Sequence, residues 1–260
     1  MPTLTRDGAQ AWITRWDRQQ EGYVPHREDR FAVLLDAVQA AVRRPDPLVL
    51  DLGCGPGSLA VRLLERMPEA TVVALDADPL LLTLGRAAYR DTSGLRFAEA
   101  DLGTAGWATA LRLDRAVDIA VSTTALHWLP EPRLQTAYRE LAAVLRPGGV
   151  LLNGDDFTVA ETSPTLATLE RELQNQAVDR HLARHSPEDW RQWWDAVTAD
   201  PALTDVLAAR EQRRSEGHDG AESSQLATHV RALESAGFTE IGTLWQHGDN
   251  RLLCAVKSAT

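Results

Sequence analysis

The chain has 260 residues, of which 44% are hydrophobic and 25% charged, and it carries a formal net charge of −10. This length permits one large globular domain or a domain with an insert. The acidity argues against a nucleic-acid-binding protein, because such proteins usually present a basic face.

Nothing in the chain indicates a secretory or membrane segment. No apolar stretch follows a basic start, and no run approaches the roughly 20 apolar residues that span a bilayer. Cys54 and Cys254 lie far apart in sequence, and a disulfide at the first would be awkward inside a glycine-rich turn. We therefore expect two reduced cysteines and a cytoplasmic protein without a membrane partner.

Residues 1–47 are predicted to form an N-terminal helical lid. Two helices fit within 7–42, joined around Gly22-Tyr23-Val24-Pro25. Trp12 and Trp16 are four residues apart and share one face of the first helix.

Residues 48–154 alternate between strand and helix patterns. Asp78-Pro79 predicts a helix start, with a capping residue before proline at the first helical position, and Pro132 is expected to occupy the same position in a later helix. Short links between strands predict parallel pairing with helices on both faces. The five expected strands cover 48–52, 71–75, 95–98, 117–121 and 149–153.

The sequence pattern of residues 155–222 predicts a helical insert or cap over the active site. Ser186-Pro187 is expected to start a helix, and Gly217 to Ser224 to form a loop. Residues 223–260 then complete the sheet, with a helix near 225–235 and two strands joined so tightly that they must be antiparallel. Those two strands are expected at 238–246 and 252–257.

A glycine-rich turn follows the first strand. Asp51 ends the strand, and Gly53, Gly55 and Gly57 follow at alternate positions, which favours a nucleotide-binding turn. The dinucleotide fingerprint needs its third glycine at position 58, where this chain has Ser58. A carboxylate at Asp51 also disfavours a pyrophosphate and suits a cation, so an NAD-dependent dehydrogenase is the weaker reading.

Two more acids follow the next two strands. Asp76 ends the second strand, where a carboxylate can accept both ribose hydroxyls of a nucleoside, and Asp101 follows the third. Because open α/β sheets bind ligands at the carboxyl ends of their strands, Asp51, Asp76 and Asp101 together predict a nucleoside site.

The spacing Asp-x-Gly-x-Gly-x-Gly at 51–57 resembles motif I of class I S-adenosylmethionine (SAM) dependent methyltransferases. Residues 122–130 resemble the region after strand four in small-molecule methyltransferases such as trans-aconitate methyltransferases. The resemblance implies an α/β fold, a Rossmann-like three-layer sandwich whose seven-stranded, mostly parallel sheet has one antiparallel strand.

The resemblance also implies SAM as cofactor. The glycine loop would wrap its methionine part, Asp51 would hold the ammonium group, and Asp101 would accept from the adenine amino group. Tyr23 or Arg27 would reach the cofactor from the lid; alternatively, these residues lie on a surface helix with Arg30 paired to Asp29 or Asp36. The expected cofactor contacts are Tyr23, Arg27, Asp51, Gly53, Gly55, Gly57, Asp76, Ala77, Asp101, Leu102 and Thr123.

Two residues are candidate catalysts. His127 would act as general base, since its pKa lies near the working pH, or would pack between helix and sheet. Asp155, with Asp156 beside it, would orient the acceptor, act as base or merely cap.

Four tryptophans are candidate lining for the acceptor pocket: Trp128, Trp190, Trp194 and Trp245. Alternatively Trp128 is a core residue, and the other three attach the insert to the sheet.

We expect methyl transfer from SAM to a small organic acceptor, with S-adenosylhomocysteine as product and no metal. A carboxy-SAM synthase-like enzyme and a non-catalytic SAM-binding protein are the alternatives. The acceptor, the atom methylated and the oligomeric state stay open, with a homodimer among the possibilities.

Overall fold

The computed structural model describes residues 3–159, 163–185, 188–214 and 224–259. In chain order, the first half contains α1 Arg6–Tyr23, α2 Arg27–Ala41, β1 Leu48–Leu52, α3 Ser58–Arg66, β2 Thr71–Asp76, α4 Pro79–Ala88, β3 Leu95–Glu99, α5 Trp107–Ala110 and β4 Val117–Thr123. After a single 3₁₀ turn at Leu126–Trp128, the second half contains α6 Glu131–Val144, β5 Leu145–Asp156, α7 Pro164–Arg184, α8 Trp190–Thr198, α9 Thr204–Arg214, α10 Leu226–Ser235, β6 Phe238–His247 and β7 Asn250–Lys257.

The described strands form one seven-stranded sheet in the order β3-β2-β1-β4-β5-β7-β6. Strands β1 to β5 pair in parallel, whereas β7 runs antiparallel to both β5 and β6. The predicted fold class is therefore confirmed, including the single reversed strand. The register places Asp51 beside Ala74 of β2 and Val121 of β4, so neighbouring strands end at the same rim.

Alternate side chains of the buried strands pack into two hydrophobic cores, one on each face of the sheet. Leu50 of β1 faces the core shared with α5, α6 and α10, while Val49 faces the core shared with α2 and α3. Every residue of β1 is buried, because a central parallel strand is covered by helices on both faces.

Local sequence signals explain most helix starts, with small corrections. Asp78 caps α4 by accepting from the amide of Leu80 at 2.9 Å, as expected. Helix α6 begins one residue earlier than expected, so Pro132 takes its second position. The proposed start at Ser186-Pro187 lies outside the described residues; α8 begins at Trp190, after an Asp189 N-cap. The predicted loop from Gly217 also lies outside them, apart from its last residue, Ser224.

The N-terminal helices pack against the helices that follow β5. Trp193 of α8 is fully buried, with its ring centroid 5.9 Å from Trp12 and 5.0 Å from Trp16 of α1. The Nε1 of Trp12 donates to Asp200 at 2.9 Å, so the polar edge of that ring is also satisfied. This third cluster extends onto α4, beside the glycine-rich turn. The division into four segments with a lid and a cap stays a prediction.

Replacing Trp193 by alanine should lower the free energy of unfolding by about 3–5 kcal/mol, because it empties a buried site. Trp128 is 62% exposed and serves as the matched control. Trp128→Ala should cost less than about 1 kcal/mol. Urea denaturation of both variants checks this, and equal losses would contradict the central role of Trp193.

Candidate active site

The carboxyl ends of the parallel strands gather the predicted residues at one rim. Asp51 is the fourth residue of β1, Asp76 ends β2, Thr123 ends β4, and Asp155 is the second-to-last residue of β5. Asp101 follows β3 by two residues. This rim exists because all five strands point the same way, which brings together residues as far apart in sequence as Asp51 and Asp155.

Asp51 is a buried carboxyl group at the rim of the sheet. Its side chain is fully buried, and neither carboxylate oxygen has a hydrogen-bond partner among the described residues. Burial, followed by the charge of Asp76, raises its pKa to about 8, and the nearby amide of Ala60 offsets this only in part. An unpaired buried carboxylate is costly, so this position favours a cationic ligand.

Asp76 holds the glycine turn in place. Its Oδ2 accepts from the amide of Gly55 at 2.7 Å, and its Oδ1 accepts from the amide of Asp78 at 2.8 Å. Burial raises its pKa to about 6 against these hydrogen bonds. Each oxygen keeps a second lone pair, which leaves it able to accept a hydroxyl of a ligand.

The turn itself needs glycine. Gly53, Gly55 and Gly57 all have positive φ, at 70°, 55° and 94°. A Cβ added at Gly53 would lie 2.3 Å from the Cβ of Ala125. The turn after β1 is therefore pressed against the segment after β4.

Asp101 is engaged within the protein. Its Oδ1 accepts from Nη2 of Arg133 at 2.6 Å, and its oxygens also accept from the Gly103 amide and the Thr104 hydroxyl, each at 3.0 Å. Leu102 is buried in the core, and Ala77 is exposed beside Asp76. A nucleobase at Asp101 would share the carboxylate with Arg133.

The two candidate catalysts form one pair. Nδ1 of His127 lies 2.7 Å from Oδ1 of Asp155, which also accepts from the amide of Asp156 at 3.0 Å. Asp155 is fully buried, whereas His127 keeps 19% of its side chain exposed. Thr124 has φ of 48°, a conformation that non-glycine residues rarely adopt and that often marks functional sites. Trp128 packs beside His127, with ring centroids 4.8 Å apart.

Arg30 lies inside the protein, so the alternative that paired it with Asp29 or Asp36 on a surface helix is wrong. Its Nη1 donates to Asn250 at 2.9 Å and its Nη2 to Thr123 at 2.8 Å. Burial lowers its pKa, and the charges of Asp156 and Asp155 oppose that shift. A sequence signal was present, because Arg30 precedes Leu34 and Val38 at intervals of four and shares their buried face.

Asp156 completes this group of buried charges. Burial raises its pKa to about 6, while Arg30 acts to lower it and Asp155 to raise it. One arginine thus interacts with two carboxylates at the end of β5.

The predicted lid contacts are occupied by protein groups. Arg27 is buried and donates to Asp17 at 2.8 Å, and the hydroxyl of Ser58 donates to the same Asp17 oxygen at 2.7 Å. Tyr23 is half exposed, and its hydroxyl accepts from the amide of Trp190 at 3.0 Å. Their roles toward a cofactor stay predictions.

The candidate pocket tryptophans fall into separate groups. Trp190 and Trp194 lie 5.6 Å apart, and Arg210 stacks 3.9 Å over the Trp194 ring. Trp245 on β6 packs instead against the core of α2 and α3, and Trp128 stands beside His127. The described contacts do not join these four rings into one wall, and their role toward an acceptor stays a prediction.

Three features of the described residues bear on other chemistries. Cys54 and Cys254 are both free of a disulfide. No group of three or more His, Cys, Asp or Glu side chains in that part of the chain has the geometry of a metal site. None of its helices combines the length and apolar character that crossing a bilayer demands.

Comparison with known proteins identifies the class. Residues 49–149 match the model of a methyltransferase domain family, and this span contains the glycine turn, β2 to β4 and all of β1 except Leu48. Together with the sheet order, the match identifies a methyltransferase domain over residues 49–149 and supports the resemblance to class I SAM-dependent methyltransferases. The resemblance seen in the sequence is confirmed.

Curated proteins similar to this chain are also named as methyltransferases. The chain is 35% identical over 137 residues to a trans-aconitate 2-methyltransferase of Deinococcus radiodurans, covering 52% of this chain and 47% of that protein. It is 38% identical over 160 residues to one of Methylobacterium radiotolerans, covering 62% and 50%. The chain thus spans about half the length of the curated relatives it matches.

Solved structures share the fold at low identity. An O-methyltransferase family protein from Burkholderia thailandensis aligns with a TM-score of 0.56 and 16% identity, covering 98% of this chain and 64% of that one. Human N-acetylserotonin methyltransferase, solved in complex with SAM, aligns with a TM-score of 0.52 and 16% identity, covering 94% and 56%.

Gly53→Ala should destabilise the protein more than a comparable glycine substitution elsewhere. Gly106 also has positive φ, at 89°, but a Cβ there would meet nothing within 4 Å. Gly106→Ala should therefore cost only the backbone strain, about 1–2 kcal/mol, and Gly53→Ala should add the clash with Ala125. Chemical denaturation compares the two, and equal costs would contradict the tight contact.

Asp51→Asn should flatten the pH dependence of stability in the ligand-free protein. The folded pKa of Asp51, about 8, lies above the unfolded value of about 4. The stabilisation is therefore fully present below pH ~4 and is lost as the pH rises through about 8. The difference in unfolding free energy between wild type and Asp51→Asn should change by more than about 1.4 kcal/mol, the equivalent of one pKa unit, between pH 5 and pH 8. Denaturation at both pH values measures this, and parallel behaviour would contradict it.

Proposed function

We propose that this chain transfers a methyl group from SAM to a small organic acceptor by in-line displacement and releases S-adenosylhomocysteine. The observation that carries the proposal is the buried, unpartnered carboxylate of Asp51 beside a glycine turn. It supports binding of a ligand that carries a cation next to a nucleoside, and SAM has both parts.

The residues at the rim fit this cofactor. Asp51 would hold the ammonium group, since a positive partner removes the cost of the buried charge. Asp76 would take the ribose hydroxyls on its remaining lone pairs. Asp101 would receive the adenine amino group while Arg133 keeps part of its present contact. SAM supplies an electrophilic methyl group, so the protein needs no covalent nucleophile.

The protein's own contribution is alignment and proton removal. Holding the acceptor in line converts an encounter in solution into an oriented reaction, which is worth several kcal/mol. His127, held by Asp155, would accept the acceptor's proton. Tyr23 and Arg27 would contact the cofactor from α1 and α2, and Trp128, Trp190, Trp194 and Trp245 would border the acceptor.

The competing readings lack a supporting observation. A dehydrogenase needs a glycine where Ser58 stands, and that side chain is buried and bonded to Asp17. The curated relatives are named as methyltransferases, which supports a small organic acceptor over a carboxy-SAM synthase-like or non-catalytic role. A cytoplasmic location, the absence of a nucleic-acid partner and the oligomeric state stay predictions.

Calorimetry should detect binding of SAM and S-adenosylhomocysteine and no binding of NAD. Asp76→Ala should weaken SAM binding by about tenfold or more, the equivalent of the 1.5–3 kcal/mol of a hydrogen bond to a charged group. Asp179→Ala, an exposed change on α7, is the matched control and should bind as wild type does. Heat with NAD alone, or full affinity in Asp76→Ala, would overturn the proposal.

A further inference from the structure

Gln19 of α1 carries a buried amide that makes no hydrogen bond within the described part of the chain. Its side chain is fully buried, and neither Nε2 nor Oε1 has a partner among those residues. An amide buried in this state costs free energy, and buried side-chain polar atoms of folded proteins nearly always have partners. The two donors and the acceptor therefore indicate a site for a polar ligand group.

The neighbouring residues of α1 place Gln19 beside the glycine turn. Trp16, three residues earlier on the same face, has a ring atom 4.0 Å from the position that a Cβ on Gly55 would take. Asp17 accepts from the hydroxyl of Ser58 at 2.7 Å, directly after the turn. This stretch of α1 thus covers the turn that is expected to hold the methionine part of the cofactor.

The amino-acid end of SAM carries a carboxylate beside its ammonium group. The acids at the rim suit the ammonium group, but Asp51 and Asp76 repel an anion that approaches them. Burial of the carboxylate also costs free energy unless hydrogen-bond donors meet it. The cofactor therefore needs donors near the glycine turn, which α1 covers.

Two arginines that follow α1 are engaged with the protein's own groups. Arg27 donates to Asp17 at 2.8 Å. Both Nη atoms of Arg30 donate within the protein, at 2.9 Å to Asn250 and at 2.8 Å to Thr123. A primary amide offers two N–H donors and a carbonyl acceptor without adding charge. The buried amide on α1 therefore supplies donors that these guanidinium groups direct elsewhere.

We propose that Gln19 recognises the α-carboxylate of the cofactor, so that α1 distinguishes a nucleoside with an amino-acid end from one without it. This inference rests on the proposed function. Nε2 of Gln19 donates to the carboxylate, and Oε1 accepts from the ammonium group that Asp51 holds. Ligand binding then provides partners for an amide that is otherwise costly to bury.

Calorimetry with two nucleosides tests this recognition in the full chain. S-adenosylhomocysteine carries the amino-acid end, whereas methylthioadenosine lacks it. Gln19→Met removes the amide and keeps an unbranched side chain, so it should weaken S-adenosylhomocysteine binding by about tenfold or more. It should leave methylthioadenosine binding unchanged. Gln10→Met, an exposed change on the same helix, is the matched control and should bind both nucleosides as wild type does.

Gln19→Glu determines which group of the ligand the side chain meets. A carboxylate at this position repels the α-carboxylate, so it should weaken S-adenosylhomocysteine binding more than Gln19→Met does. Tighter binding would assign the ammonium group to this position and overturn the proposal. Equal weakening of both nucleosides, or full affinity of Gln19→Met for S-adenosylhomocysteine, would also overturn it. If S-adenosylhomocysteine does not bind to wild type, the proposed function fails instead.

Urea denaturation of the ligand-free protein gives an independent measurement. Because an unpartnered buried amide is destabilising, Gln19→Met should unfold at the same urea concentration as wild type or at a higher one. S-adenosylhomocysteine should then raise the midpoint of wild type more than that of Gln19→Met. A lower midpoint for the ligand-free variant would show that the amide is bonded inside the protein and would contradict the proposal.

Discussion

The structure depends on a carboxyl group that the protein buries at the carboxyl end of its parallel strands. Asp51 lies at the end of a central strand, covered on both sides, with no internal partner among the described residues. Such a group is tolerated when a ligand completes it, and the surrounding features serve that end. The glycine turn brings backbone close to the same place, and Asp76 fixes that turn through the amide of Gly55.

The sequence alone predicted the sheet, because its strands are short apolar runs with distinct boundaries and its connections are short. It also predicted the acids at the strand ends, since parallel strands must end at one rim. What it could not predict were pairings between distant segments. His127 and Asp155 are 28 positions apart, and only the register between β4 and β5 shows that they touch.

The aromatic residues show a different limit of prediction from the sequence. Trp190, Trp193 and Trp194 lie within about one turn of α8, but this spacing alone does not say which ring is buried. Contact with α1 decides this: Trp193 packs between Trp12 and Trp16, while Trp190 remains half exposed. The surface-helix alternative for Arg30 fails for a related reason: its spacing from Leu34 and Val38 indicates a buried face, but not the buried acceptors that β4 and β7 supply.

The position of Arg30 has a mechanical consequence. The guanidinium of Arg30 on α2 donates to Thr123 at the end of β4 and to Asn250 at the start of β7. These two hydrogen bonds connect the three elements beside the candidate site. Helix α2 is consequently attached to the sheet at both strands.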